Sequence, residues 1–221
     1  MRRLCVAELP SPRRPVPKSD PSRRSRSYTS TGQFISLTTG QKLVFQGIGQ
    51  RDLLILLDVD FRTIDLRTFA ADPVDWPSPS NKALEPDIFV EAITGERCYW
   101  KVLSQQKLSS DPKFEAHKEE ARRACEVFGA SFRIFCKECM SPKTRLANSR
   151  WVHAAASVIQ TAEAARLNDI LSGLNPPQSI GALKLAGLTD RLFDCLLGLV
   201  GNREVQIPLD KPIDDFTMVR W

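Results

Sequence analysis

A short apolar run that begins with Pro-Asp, turns at a glycine and returns as a second apolar run constrains this chain most. Leu84-Glu85-Pro86-Asp87-Ile88-Phe89-Val90 is followed by Gly95 and then by Cys98 to Leu103. Two such runs around a glycine turn predict paired strands over Asp87–Ile93 and Arg97–Leu103. Pro86 enters the first strand and places the Asp87 carboxylate at its head. Read alone, Asp87 is a strand-start cap, since Pro-Asp is a common turn pair.

The neighbouring segments build on that hairpin. Phe34–Leu37 and Lys42–Phe45 alternate like short strands around Gly40. Gln46–Val59 predicts a helix with Ile48, Leu53, Leu56 and Leu57 on its apolar face, its first turn weakened by Gly47 and Gly49. Arg62–Phe69 alternates again. Asp72–Asn81 is a proline- and serine-rich loop around Trp76, and Ser104–Ser110 is polar and expected to be mobile. Pro112–Phe128 is the clearest helix, with Phe114, His117, Ala121, Ala124 and Phe128 inward and Gly129 as its stop. Ser131–Cys136 closes the unit as a strand. Helix, mixed strands, helix and strand make an α/β core around a small sheet.

The pattern changes at Trp151. Val152–Leu174 is alanine-rich and helical until Asn175-Pro176-Pro177 interrupts it. Ser179–Leu185 and Thr189–Val200 predict two short helices, and Arg203–Leu209 a strand. Three helices and a strand are the pattern of a winged-helix-like module. The expected organisation is an arm over 1–30, a core over 31–150 and a small α domain over 151–221.

Charge separates the arm from the rest. The chain has 221 residues and a net charge of +5. Residues 1–28 hold Arg2, Arg3, Arg13, Arg14, Lys18, Arg23, Arg24 and Arg26 against Glu8 and Asp20, a net +6, so the remainder carries −1. Five of the fifteen prolines lie in the same stretch. Proline, serine and arginine without apolar periodicity do not offset the entropy of ordering, so a disordered arm is expected. Its eight basic side chains suit DNA phosphates, whose counterions they would release; a merely solubilising tail is the plainer alternative. No apolar run reaches the roughly 18 residues of a membrane span, and no apolar stretch follows the basic N-terminus. The expectation is a cytoplasmic protein with no membrane partner, its six cysteines reduced.

Several local signatures together resemble one family, the TnsA-like endonuclease subunit of heteromeric transposases, built on a PD-(D/E)XK restriction-endonuclease-like core. Phe45-Gln46-Gly47-Ile48-Gly49-Gln50-Arg51-Asp52-Leu53-Leu54 is similar to the family's aromatic-Glu-Ser-x-x-Glu-Arg-Asp helix start, and Leu57-Asp58-Val59-Asp60 to its apolar-Asp stretch. Pro86-Asp87-Ile88-Phe89-Val90 matches its central motif. Arg145-Leu146-Ala147-Asn148 resembles a turn after the core, and Leu209 to Val219 the C-terminal tail. The resemblance runs from about Gly32 to the end. It implies nicking at the 5′ ends of a transposon, a partner integrase-type transposase acting at the 3′ ends, an ATPase regulator as a further partner, and Mg²⁺ where nuclease activity remains.

The residues depart from that chemistry. Metal-assisted phosphodiester cleavage needs carboxylates around the ion and a lysine near the attacking water. The helix acid falls at Gln46 or Gln50, whose neutral amides are poor metal ligands. On the second strand, Lys101-Val102-Leu103 puts lysine for the acid and leucine for the lysine. Tyr99-Trp100-Lys101 keeps the lysine with tyrosine for the acid, and Gln105-Gln106-Lys107 keeps it with glutamine for the acid. Glu91 shares a face with Asp87 but lies about 13 Å along the strand. Asp87 alone is a metal ligand if any is, so no cofactor is expected. The preferred reading is a subunit that binds transposon-end DNA and a transposase through a degraded nuclease site. An active Mg²⁺-dependent endonuclease and a regulatory DNA-binding protein are the alternatives, and whether the chain is an enzyme stays open. Cys136-Lys137-Glu138-Cys139 has zinc spacing, but only Cys98, Cys125, His117 and His153 are candidates to complete a site. His153 is expected to pack at the joint between core and C-terminal module.

Overall fold

A computed structural model describes residues 30–69, 84–110, 112–136, 138, 143–159 and 161–221. The eight basic residues of the arm, the 72–81 loop and Cys139 lie outside them. The architecture is mixed α/β. Strands β1 (Thr31–Ile35) and β2 (Lys42–Gln46) form an antiparallel hairpin that pairs Phe34 with Leu43. Helix α1 (Ile48–Val59) follows directly, because Gly47 turns the chain at φ 92°, a conformation that favours glycine.

A four-stranded sheet forms the centre in the order β3 (Thr63–Thr68), β4 (Ile88–Ala92), β5 (Arg97–Leu103) and β6 (Ser131–Cys136). The first two pairings are antiparallel and β5–β6 is parallel. A parallel neighbour requires a crossover, supplied by α2 (Gln105–Ser110) and α3 (Phe114–Glu126). One face packs Leu66, Ile88, Val90, Cys98 and Phe135 against Leu53 and Leu54 of α1. On the other, Leu103 meets Ala121 of α3, with Phe132 and Ile134 alongside.

Two expectations change here. Ser104–Ser110, expected only as a polar stretch without regular structure, is helical over Gln105–Ser110, with Leu108 packed on the Leu84–Leu103–Ala121 cluster. Phe128 is not inward but 45% exposed, since α3 ends at Glu126 and Gly129 adopts a φ of 65°.

The remaining helices are α4 (Lys143–Ala156), α5 (Thr161–Ser172), α6 (Ile180–Leu185) and α7 (Asp190–Gly201). Two-residue strands β7 (Gln178–Ser179) and β8 (Met218–Val219) pair beside them. Arg145–Asn148 lies in the first turns of α4, not in a turn, and residue 150 falls inside that helix. The expected continuous helix over 152–174 is instead two helices, α4 ending at Ala156 and α5 running over Thr161–Ser172. This break seats Ile159 against α7. The expected strand over 203–209 reduces to one bridge, Gln206 with Arg220.

Helix α7 lies close on α4. A methyl at Gly198 would come within 2.5 Å of Ile159 Cγ1, and one at Gly201 within 2.6 Å of Ala156 Cβ. Gly198→Ala is therefore expected to cost about 1–3 kcal/mol by overpacking, read as a lower urea midpoint at unchanged slope. A midpoint equal to wild type would show that Ile159 yields freely. Val59 at the end of α1 belongs to the same apolar core as α4, α5 and α7, so the C-terminal helices are packed onto the sheet unit.

Candidate functional site

Asp87 is held on both sides by main-chain bonds before its side chain does anything. Its N–H donates to the Trp100 carbonyl at 2.8 Å, and its carbonyl accepts from Phe69 N–H at 3.1 Å. The β4–β5 register pairs Ile88 with Trp100, which sets Lys101 beside Asp87. The Lys101 ammonium lies 3.2 Å from Asp87 Oδ1, and Val102 N–H donates to Oδ2 at 2.7 Å. Both side chains are only 16% exposed. A cation on one oxygen and a main-chain donor on the other hold the carboxylate.

The other candidates gather next to this pair. Gln46, Gln50, Val102, Leu103, Lys107 and Glu138 line a cleft of about 460 Å³ between the start of α1 and the end of β5. Gln50 Oε1 accepts from Gln46 N–H at 2.7 Å, folding back from α1 onto the end of β2. Leu103 is buried, with its side chain in the cluster beneath α3. Gln105 and Lys107 lie on α2, past the strand. Asp87, Lys101 and Gln105 do not line the cleft.

Glu138 is the acid that the sequence reading passed over. It follows β6, and its Oε2 lies 3.4 Å from Cys136 Sγ. Nothing in a C-x-x-C stretch marks it as a cleft residue; only the parallel placement of β6 beside β5 brings it there. Among the described residues, no three His, Cys, Asp or Glu side chains stand together as a metal site. Cys98 and Cys125 are buried, and burial pushes the Cys125 thiol up to about 12.

A second polar cluster joins the hairpin, α1 and α4. Asp58 is fully buried. Its carboxylate accepts from Ser36 Oγ at 2.6 Å, Leu37 N–H at 2.8 Å and Thr38 N–H at 3.1 Å. His153 Nε2 sits 3.3 Å from Oδ2, an ion-pair distance without hydrogen-bond alignment. The His153 ring also meets Phe34 edge-on at 4.8 Å. Burial pushes the Asp58 carboxyl up, but His153, Ser36 and the two N–H groups more than offset it, so its pKa lies below the ordinary 3.8.

The two C-terminal signatures meet in this region. Arg145 spans Asp60 and Asp210 at 3.2 Å each. Asn148 donates to the carbonyls of Leu209 and Lys211 at 2.9 and 2.7 Å. These contacts dock the C-terminal tail on α4 and on the end of α1. Compared with known protein families and with curated proteins, the sequence matches none.

Proposed function

We propose that this chain is a TnsA-like subunit of a DNA transposition complex. In this reading a PD-(D/E)XK-type core precedes a winged-helix-like module, and the chain binds transposon-end DNA and an integrase-type transposase without cutting DNA itself. The pair Asp87–Lys101 carries the reading. A nuclease of this type needs an acid beside the first aspartate, and here a lysine stands next to it at 3.2 Å. The order α1, β3, β4, β5, α3, β6 around a sheet whose last pair is parallel supports the core assignment.

Helix α7 bears on the regulatory alternative. The third helix of a winged-helix reader inserts into the major groove and must offer polar side chains there. In α7, Leu192 and the whole run Cys195–Gly201 are buried, and its exposed first turns carry Asp190, Asp194 and one basic residue, Arg191, which faces Glu163 at 3.5 Å. A helix buried over most of its length, with only a short start of mixed charge exposed, suits protein contact better than DNA reading, which favours the assembly role over a repressor-like one.

The test is a nicking assay on transposon-end DNA in Mg²⁺ and in Mn²⁺, with and without an integrase-type transposase. The full-length protein is expected to shift the DNA and leave it uncut, and Asp87→Ala to change neither result. Cleavage by wild type that disappears in Asp87→Ala would promote the active endonuclease instead, with Glu138 and Lys107 the next residues to test.

A further inference from the structure

The donor set around Asp87 does not fit the Mg²⁺ that the nuclease resemblance implies. Mg²⁺ requires near-octahedral oxygen ligands at about 2.0–2.1 Å. Asp87 Oδ1 already faces the Lys101 ammonium, and Oδ2 receives Val102 N–H. An ion at Oδ1 would meet the Lys101 ammonium, and at Oδ2 it would have to share the oxygen with the Val102 N–H. Gln50 spends its one side-chain oxygen on Gln46 N–H. Leu103, two residues along β5 from Lys101, is buried and offers no donor. Among the described residues, the adjoining cleft holds one acid, Glu138, together with the Lys107 ammonium, so it adds no net negative charge to attract an ion.

We propose that Lys101 is the resident cation of this site: its ammonium stands where a divalent ion would stand in a nuclease and closes the site to metals. The proposal rests on reading Asp87 as the remnant of a metal site. Its consequence is a built-in metal independence. The end of the β4–β5 hairpin beside the cleft is held by an internal ion pair, so the folded site needs no ion and does not respond to one. An ammonium delivers one positive charge to one carboxylate without demanding further ligands, which suits a site left with a single acid. The pair is only 16% exposed on each side, so solvent screens it less than a surface pair.

The experiment follows thermal unfolding of the full chain in EDTA and across millimolar MgCl₂ and MnCl₂, with no DNA or transposase present. Wild type is expected to melt at the same temperature throughout. Lys101→Met is expected to melt several degrees lower, again without response to metal, because Asp87 then lacks a cation. Lys101→Glu places two carboxylates side by side. It is expected to melt lowest in EDTA and to recover saturably with Mn²⁺ or Mg²⁺, a recovery absent from Lys101→Glu/Asp87→Asn. A saturable rise in wild type that vanishes in Asp87→Ala would overturn the proposal. So would an unchanged melting temperature in Lys101→Met, or a folded Lys101→Glu that ignores both metals. If Lys101→Glu does not fold, wild type and Lys101→Met still decide the matter. Since neither DNA nor nicking enters, failure here is distinguishable from failure of the transposition reading.

Discussion

Asp58→Ala is expected to destabilise the protein by about 3–5 kcal/mol, the usual cost of removing one member of a buried charged network. The loss corresponds to a fall on the order of 10 °C in melting temperature for a chain of this size. The substitution removes the acceptor of the Ser36 hydroxyl and the Leu37 N–H and the charge facing His153, and leaves Thr38 N–H only its bond to Ser36 Oγ. Each buried group left without a partner carries its own desolvation cost. The effect is also pH-dependent, and the direction follows from the depressed pKa. Asp58 lies below its ordinary 3.8 in the fold and returns to it on unfolding. Its contribution is therefore complete above about pH 3.8 and is lost as pH falls through the lower folded value. Wild type should exceed Asp58→Ala by the full margin at pH 7, and the margin should narrow towards pH 2. A margin independent of pH, or one below about 1 kcal/mol at neutral pH, would mean that the hairpin turn and α4 are held by packing alone.

Deleting residues 1–28 is expected to weaken DNA binding by on the order of 10²-fold or more at about 0.1 M salt, largely regardless of sequence. The truncation removes a net +6 and leaves a remainder at −1. If all that excess charge engages phosphates, the slope of log affinity against log salt should flatten by up to about 5. Fluorescence anisotropy on random and transposon-end duplexes, at several salt concentrations, gives both quantities. Equal affinity and equal slope in the truncated chain would make the arm a bystander and place the DNA contact in the folded part. In that case the exposed faces of Arg51 and Arg150, which share Asp52 at 3.2 and 2.7 Å, are the next basic groups to examine.

Most of the sheet unit was legible from local pattern. The alternation of Arg62–Phe69, the Gly95 turn between two apolar runs and the periodic apolar face of 48–59 each report on near neighbours, and near neighbours decide strands, turns and amphipathic helices. The misses share a cause. Ser104–Ser110 has one apolar residue and no period; it is helical because Leu108 finds Leu103 and Ala121 across the fold. Residues 203–209 read as a strand, yet only Gln206 finds a strand partner, Arg220, because the N–H groups of Arg203, Glu204 and Val205 bond the last carbonyls of α7 and the Leu209 carbonyl is taken by Asn148. The break between α4 and α5 carries no proline or glycine, and Ile159 docking against Gly198 accounts for it.

The candidate site divides in the same way. Residue types and spacing placed Asp87 at the head of a strand and the positive charge in the first 28 residues, and the family resemblance marked positions 46, 50 and 101 as lacking an acid and position 103 as lacking a lysine. That the Lys101 ammonium lands on Asp87, that Glu138 shares a cleft with Gln46 and Lys107, and that Asp58 is buried beneath Ser36 and His153 were decided only in three dimensions. Each depends on strand register or helix packing between residues 14 to about 95 positions apart, where a shift of one residue in β5 would turn Lys101 to the opposite face of the sheet.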